Sequence, residues 1–518
     1  MATAASPISR KSKVLTIVPA DAEKNAILLR KLDQEFPATS LNGFSDLVHY
    51  APSAEEPIHR WFPYREGYST KLVEELIRSL PKKAKILDPF CGCGTTLLAA
   101  QSLGHECLGF DVNPLAILVT RVKTREYSSS DIAALTRYRR SISRLTHKAP
   151  VADPPKLEII NRVFHEEILG CLLTIKYFID QIEHQKQREF LLCGWLSILE
   201  AVSNVYKEGN GIKYRNRRRT AAGYFAIPME TWQKDAFPSN KWAFVIKTLT
   251  DHLQTMLGDA VERPKRLPTA DVLEVSADSD DHGLKPNSID YAAFSPPYCN
   301  CFNYFKTFKI ELWMGGFALS YPEMQDLNRR ALRSHVETTL IRPHDERIDF
   351  VDEFADLIDV KQIWDSRIPE AVRGYFIDMR RVLHSLSSLL KPGGRCAMVV
   401  GNSAYGGILI PTDVLLAKIA RNLGFEVESI GIARHLTTSS QQKILLQDLK
   451  GFLRESLVIL RKTDGANKSS GRGRVSIITR SGSVRSLRNQ KHRTVTSDRG
   501  LAIQILLHNP STPCTSAS

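Results

Sequence analysis

One short stretch narrows the fold more than any other. Lys85-Ile86-Leu87-Asp88 reads as a buried strand, Cys91-Gly92-Cys93-Gly94 as a glycine turn, and Thr95-Thr96 with the apolar run Leu97-Leu98-Ala99-Ala100 as the start of a helix. A second short strand, Cys107-Leu108-Gly109-Phe110, ends at Asp111 and passes through Asn113-Pro114 into another helix. Strand, glycine turn, helix and strand make a parallel β-α-β unit, whose sheet must be covered by helices on both faces. The fold class is therefore α/β, a doubly wound sheet. The amphipathic helix before the first strand (Leu72, Val73, Leu76, Ile77 and Leu80 on one face, started at Ser69 or Thr70 and stopped by Pro81) fits that frame.

The alternation continues after an interruption. Residues 1–56 form a lead-in with one helix near Ala22–Glu35, and 57–126 hold the glycine loop. From about 127 to 268 long helical segments replace the alternation, which marks an inserted domain. Strands follow near Asp271–Val275 and at Ile289–Phe294. A helix over Pro369–Leu390 stops at Lys391-Pro392-Gly393-Gly394, and the remaining elements are a strand (Cys396–Val400), a helix (Thr412–Asn422) and strands at Phe425–Ile430 and Glu455–Leu460. Seven strands are expected, divided between 57–126 and 269–461. From residue 462 onward Ser, Gly, Arg and Lys dominate, a composition unable to bury its own core.

The charge balance and the cysteines bound the setting. Ten basic residues face only Asp464 and Asp498 in that tail, so it carries +8 of the chain's net +14 and favours a polyanionic partner. No uncharged apolar run approaches the ~18 residues of a membrane span. Nine cysteines without a C-x-x-C pair, behind an N-terminus lacking a hydrophobic signal core, read as a reduced, cytoplasmic chain. Cys91-x-Cys93 and Cys299-x-Cys301 lie inside motifs that need no metal, and none is expected.

Two loops carry the chemistry. Gly92 and Gly94 let backbone approach a ligand closely, and the N–H groups and the Thr95 and Thr96 hydroxyls at the helix start suit a carboxylate or phosphate. Asp111, at the tip of the next strand, is placed for ribose hydroxyls. A nicotinamide dinucleotide and S-adenosylmethionine both satisfy these features. The second loop, Phe294-Ser295-Pro296-Pro297-Tyr298, follows another strand. Its consecutive prolines remove backbone donors and leave carbonyl acceptors beside the Ser295 hydroxyl, a site that grips an amino group, while Tyr298 offers a flat face to a heteroaromatic ring.

Together, Asp88-Pro89-Phe90-Cys91-Gly92-Cys93-Gly94-Thr95-Thr96 and Ser295-Pro296-Pro297-Tyr298 resemble the amino-group DNA methyltransferases, specifically their cytosine-N4 branch. The resemblance spans most of 57–461, including His59–Tyr64, Val399–Ser403 and Arg454–Leu457. It implies a seven-stranded sheet with an antiparallel last strand. It further implies S-adenosylmethionine bound by Asp88, Phe90, Gly92, Gly94, Thr95 and Asp111, with Asp271 near the adenine, and Ser295, Pro296, Pro297 and Tyr298 as the catalytic set. The large insert before the third strand departs from the family pattern.

The chemistry expected of such a site is methyl transfer to the exocyclic N4 amine of cytosine. That amine is a poor nucleophile until hydrogen bonds localise its lone pair, and a base inside a duplex must be flipped out to be reached. Within the insert, Lys213, Arg215, Arg217, Arg218 and Arg219 place five charges in seven residues and read as a DNA-contacting loop. Partners implied are double-stranded DNA and a cognate restriction endonuclease. An adenine-amino or RNA methyltransferase with the same cofactor, and a catalytically silent nucleic-acid-binding protein, are the alternative readings. Carbon-5 chemistry would need a cysteine nucleophile, and the only Pro-Cys is Pro513-Cys514, in the tail.

Overall fold

The computed structural model describes residues 19–463, apart from 65–66, 210, 221–222, 280 and 438–444. Nearly all of the basic tail expected from 462 onward thus lies outside the described residues. Along the chain run α1 (Pro19–Glu35), β1 (Ala38–Ser40), α2 (Thr70–Ile77), β2 (Lys85–Asp88), α3 (Thr95–Ser102), β3 (Glu106–Phe110) and α4 (Pro114–Thr124). The interruption holds α5 (Ser129–Ile142), α6 (Glu166–Asp180), α7 (Gln185–Ser197) and α8 (Lys241–Glu262). Two small hairpins accompany them, Val205–Lys207 with Ile212–Tyr214 and Arg217–Thr220 with Gly223–Ala226. Then come β4 (Ala270–Leu273), β5 (Ile289–Phe294), α9 (Ile368–Leu389), β6 (Leu390–Gly401), α10 (Thr412–Asn422), β7 (Phe425–His435) and β8 (Arg454–Lys462).

Local chemistry accounts for the elements around the glycine loop. Ser69 stands at the N-cap of α2, whose Leu72, Val73, Leu76 and Ile77 are all buried. Asn113 caps α4 by accepting from the Leu115 N–H at 3.0 Å, and Pro114 fills the first helical position, where its missing N–H costs nothing.

The strands form one sheet in the order β1-β7-β8-β6-β5-β2-β3-β4. Every neighbouring pair is parallel except those of β8, which is antiparallel to both β6 and β7. The chain runs outward from β2 through β3 to β4, then returns to place β5 on the other side of β2. The carboxyl ends of β2 and β5 therefore flank a topological switch point, where open α/β sheets bind ligands.

Eight strands, one more than expected, make the sheet. The extra one is β1, three residues without alternation that pair with β7 at Ala38↔Ile430. It is fixed from a distance: the Leu41 N–H donates to the Ile432 carbonyl, and Leu41 packs where Gly431 leaves no room for a side chain.

The helices of 127–268 share a hydrophobic core with the lead-in and with residues beyond β5. Trp61, Phe62, Leu115, Val119, Leu172, Trp195, Leu253, Phe308 and Trp313 belong to one buried cluster. Among the described residues, no helix is long and apolar enough to cross a membrane.

Candidate active site

A cleft of about 680 Å³ opens at the carboxyl ends of β2, β3, β5 and β6, a volume in the range of small-molecule sites. The glycine loop forms one wall. Gly92 and Gly94 both have positive φ (49° and 86°), a conformation L-residues with a Cβ rarely adopt. The Gly92 N–H donates to Asp111 Oδ2 at 3.0 Å, and the Asn113 N–H to Asp111 Oδ1 at 2.9 Å, so this carboxylate fixes the loop as well as facing the cleft. Burial nevertheless pushes the Asp111 carboxyl up to about 6. Asp88 is more deeply set. It accepts from Thr96 Oγ1 at 2.6 Å, the Phe90 N–H at 2.9 Å and Tyr68 at 3.3 Å, yet desolvation outweighs these bonds and pushes it up to about 7.

The second wall is the Ser295–Tyr298 turn. Ser295 Oγ donates its proton to the Val399 carbonyl at 3.0 Å, which leaves the hydroxyl's lone pairs to accept. The ring of Tyr298 lies against Gly401, where a Cβ would come within 2.8 Å of it. Its hydroxyl donates to Glu455, which in turn holds Arg434. His335 also lines the cleft, and burial lowers its imidazole to about 4, so it is neutral near pH 7.

Of the residues expected from sequence, Asp88, Phe90, Gly92, Thr95, Asp111, Ser295, Pro297 and Tyr298 come together around this one cleft. Gly94 faces away from it: a Cβ there would meet Thr120 at 3.0 Å, so this glycine serves the turn and the packing on α4. Pro296 is buried and is not part of the lining. Asp271 is also elsewhere, in a separate hollow with Arg121, Arg125 and Pro268. It is the second residue of β4, short of the strand's carboxyl end, and the cleft instead takes Val275 and Ala277 from that segment.

The basic cluster is not part of the cleft lining. Lys213 pairs with Glu208 at 2.9 Å, and the Arg217 guanidinium sits 5.3 Å over the Tyr214 ring. Arg215 donates to the Val205 and Glu200 carbonyls, which makes it part of the hairpin's own structure. The side chains of Arg218 and Arg219 lie outside the described residues.

Sequence reasoning missed Glu455, Arg434, His49, Asn113 and Ser403, all of which line the cleft. One signal was available: Arg454-Glu455 opens a strand that is apolar from Leu457 through Leu460, and a charge entering a buried strand demands a partner. Asn113 Nδ2 and Ser403 Oγ are buried polar atoms left without a hydrogen-bond partner, so the cleft has unspent capacity for a polar ligand.

Comparison with known proteins finds DNA methyltransferases. The N6_N4_Mtase family model, described as "DNA methylase", matches residues 40–120, the segment that contains the glycine loop. The type II methyltransferase M.BsoBI of Geobacillus stearothermophilus is 29% identical over 443 residues, covering 76% of this chain and 84% of its own. The type II methyltransferase M.AvaI of Nostoc sp. strain PCC 7120 is 26% identical over 460 residues, 80% of this chain and 89% of its own. The chain is similar to these type II methyltransferases over most of its length. A solved geranyl diphosphate methyltransferase in complex with GPP and sinefungin aligns over 86% of this chain and 100% of its own, at 6% identity and a TM-score of 0.27, too low to bear on the fold.

S-adenosylmethionine is the methyl donor, and the cleft suits it. Asp111 offers a carboxylate acceptor to a cationic sulfonium nucleoside, half-buried Phe90 gives apolar surface, and Asn113 Nδ2 supplies an unspent donor.

Proposed function

We propose that this protein is an amino-methyltransferase that modifies the exocyclic N4 amine of cytosine in double-stranded DNA, at a specific sequence, in the cytoplasm and alongside a restriction endonuclease that reads the same site. The observation that carries the reading is the state of Ser295. With its proton committed to Val399, its oxygen accepts from an amino group, drawing the lone pair out of conjugation with the ring. The likeness of Ser295-Pro296-Pro297-Tyr298 to the cytosine-N4 branch supports cytosine over adenine, and the type II relatives support the link to restriction.

Asp88, Phe90, Gly92, Thr95, Asp111 and Asn113 would hold S-adenosylmethionine, which supplies an electrophilic methyl group. The chain's own work is then to orient an extruded base. Ser295 grips the amine, Tyr298 offers its ring to the base, and the stiff proline pair keeps the two in register, so that approach needs little reorganisation. Base-aromatic stacking of ~1–3 kcal/mol offsets part of the cost of extrusion.

The test is transfer of labelled methyl groups to duplex DNA and to RNA of the same sequence, by the wild-type protein and by Ser295→Ala. Label should enter DNA alone, and the variant should lose roughly ten- to a hundredfold in rate while still binding S-adenosylmethionine. Label in RNA, or an undiminished variant, would refute the reading.

A further inference from the structure

The tyrosine that ends the catalytic turn is held from outside that turn. Its hydroxyl donates to Oε1 of Glu455, the second residue of β8. The other carboxylate oxygen, Oε2, pairs with Arg434 of β7, and Arg434 Nη1 reaches the imidazole of His49. Tyr298, Glu455, Arg434 and His49 all line the cleft, yet the Glu455 side chain is only 3% exposed.

A buried carboxylate is tolerated only where its oxygens are met, and here each oxygen has one partner of the right kind. Because a carboxylate accepts and cannot donate, the phenol must be the donor, which fixes its O–H toward Glu455 of β8. Gly401 closes the arrangement from the other side, since its missing side chain is the space the ring occupies. The ring is thus clamped between a strand glycine and a charge-assisted hydrogen bond, and such a bond is about twice as strong as one between neutral groups.

We propose that Glu455 is a positioning residue for methyl transfer: it sets the plane of the Tyr298 ring against which the extruded base stacks, with Arg434 and His49 bracing the carboxylate. This rests on the proposed reading of the cleft as a flipped-base site. It assigns Glu455 no contact with the reacting atoms; its effect passes through Tyr298 alone.

That restriction makes the inference testable by a double-mutant cycle. Tyr298→Phe keeps the ring and removes the bond from the cleft side, Glu455→Gln removes the charge from the strand side, and the double variant removes both. Single-turnover methyl transfer to duplex DNA would be measured at saturating S-adenosylmethionine, together with cofactor affinity and melting temperature. Each single variant should lose roughly tenfold in rate with cofactor affinity within about twofold of wild type, and the double variant should be no slower than the slower single one. A Tyr298→Phe protein at full rate would overturn the inference even if Glu455→Gln failed to fold. So would a double variant whose losses multiply, or a Glu455→Gln protein that loses cofactor affinity in step with rate. A wild-type protein that transfers no methyl group to DNA would overturn the underlying reading, and this inference with it.

Discussion

Asp88 ends β2 with three hydrogen-bond donors around it and still holds its proton up to about 7, because burial costs the ionised form more than those donors return. In an unfolded chain an aspartate releases its proton near 3.9. Between roughly pH 4 and 7 the folded protein therefore binds more protons than the unfolded one, and stability falls as the pH rises through that window. Replacing Asp88 with Asn keeps the shape and removes the titration. Urea unfolding at pH 5 and at pH 7.5 should show a loss of stability in the wild type that the variant mostly lacks, the difference being of the order of a few kcal/mol. The smaller rise at Asp111 would remain in both proteins. Equal losses in the two proteins would mean that Asp88 is ionised throughout.

At the scale of elements, the basic hairpins hold one arginine spent on backbone carbonyls and four further charges proposed to meet phosphate. Arg215 is spent on the carbonyls of Val205 and Glu200. Neutralising Lys213, Arg217, Arg218 and Arg219 together should lower the log-log salt slope of DNA binding by about 3 to 4 units, at roughly 0.9 per phosphate contact, and Arg215→Ala should leave the slope nearly unchanged. A slope unmoved by the fourfold variant would take the hairpin out of the interface. What could be read in the sequence follows the same division between local and distant causes. The β2–loop–α3 unit was legible because its strand, its positive-φ glycines and its helix start are adjacent in the chain. The bounds of α10, Thr412–Asn422, were legible for the same reason. β1 was not, since three unpatterned residues become a strand only when Leu41 meets Gly431. The bond from Tyr298 to Glu455 spans 157 residues and exists only because β8 inserts antiparallel between β6 and β7. Asp271 was misplaced because its position along β4, rather than its residue type, decides which end of the sheet it meets.

For the whole molecule, an aspartate of the stretch 127–268 grips the segment just past the lead-in, Ile58 to Trp61. Asp259, on α8, accepts from the Ile58 N–H at 3.0 Å, from Trp61 Nε1 at 2.9 Å and from the Arg60 guanidinium, and its side chain is 2% exposed. Asp259→Ala would strand two buried donors and should cost about 2 to 4 kcal/mol, read as a lower urea midpoint. An unchanged midpoint would mean that the shared hydrophobic core, rather than this clamp, fixes the helices. That core also ties the insert to Tyr64 and Phe308, whose rings stack 4.8 Å apart, close to the cleft's lining through Tyr64. Methylation of the cytosine N4 amine in the cleft is identified by one product. After incubation with labelled S-adenosylmethionine and unmodified duplex DNA, digestion to nucleosides should place the label in N4-methylcytosine. Label in N6-methyladenine or 5-methylcytosine would contradict it.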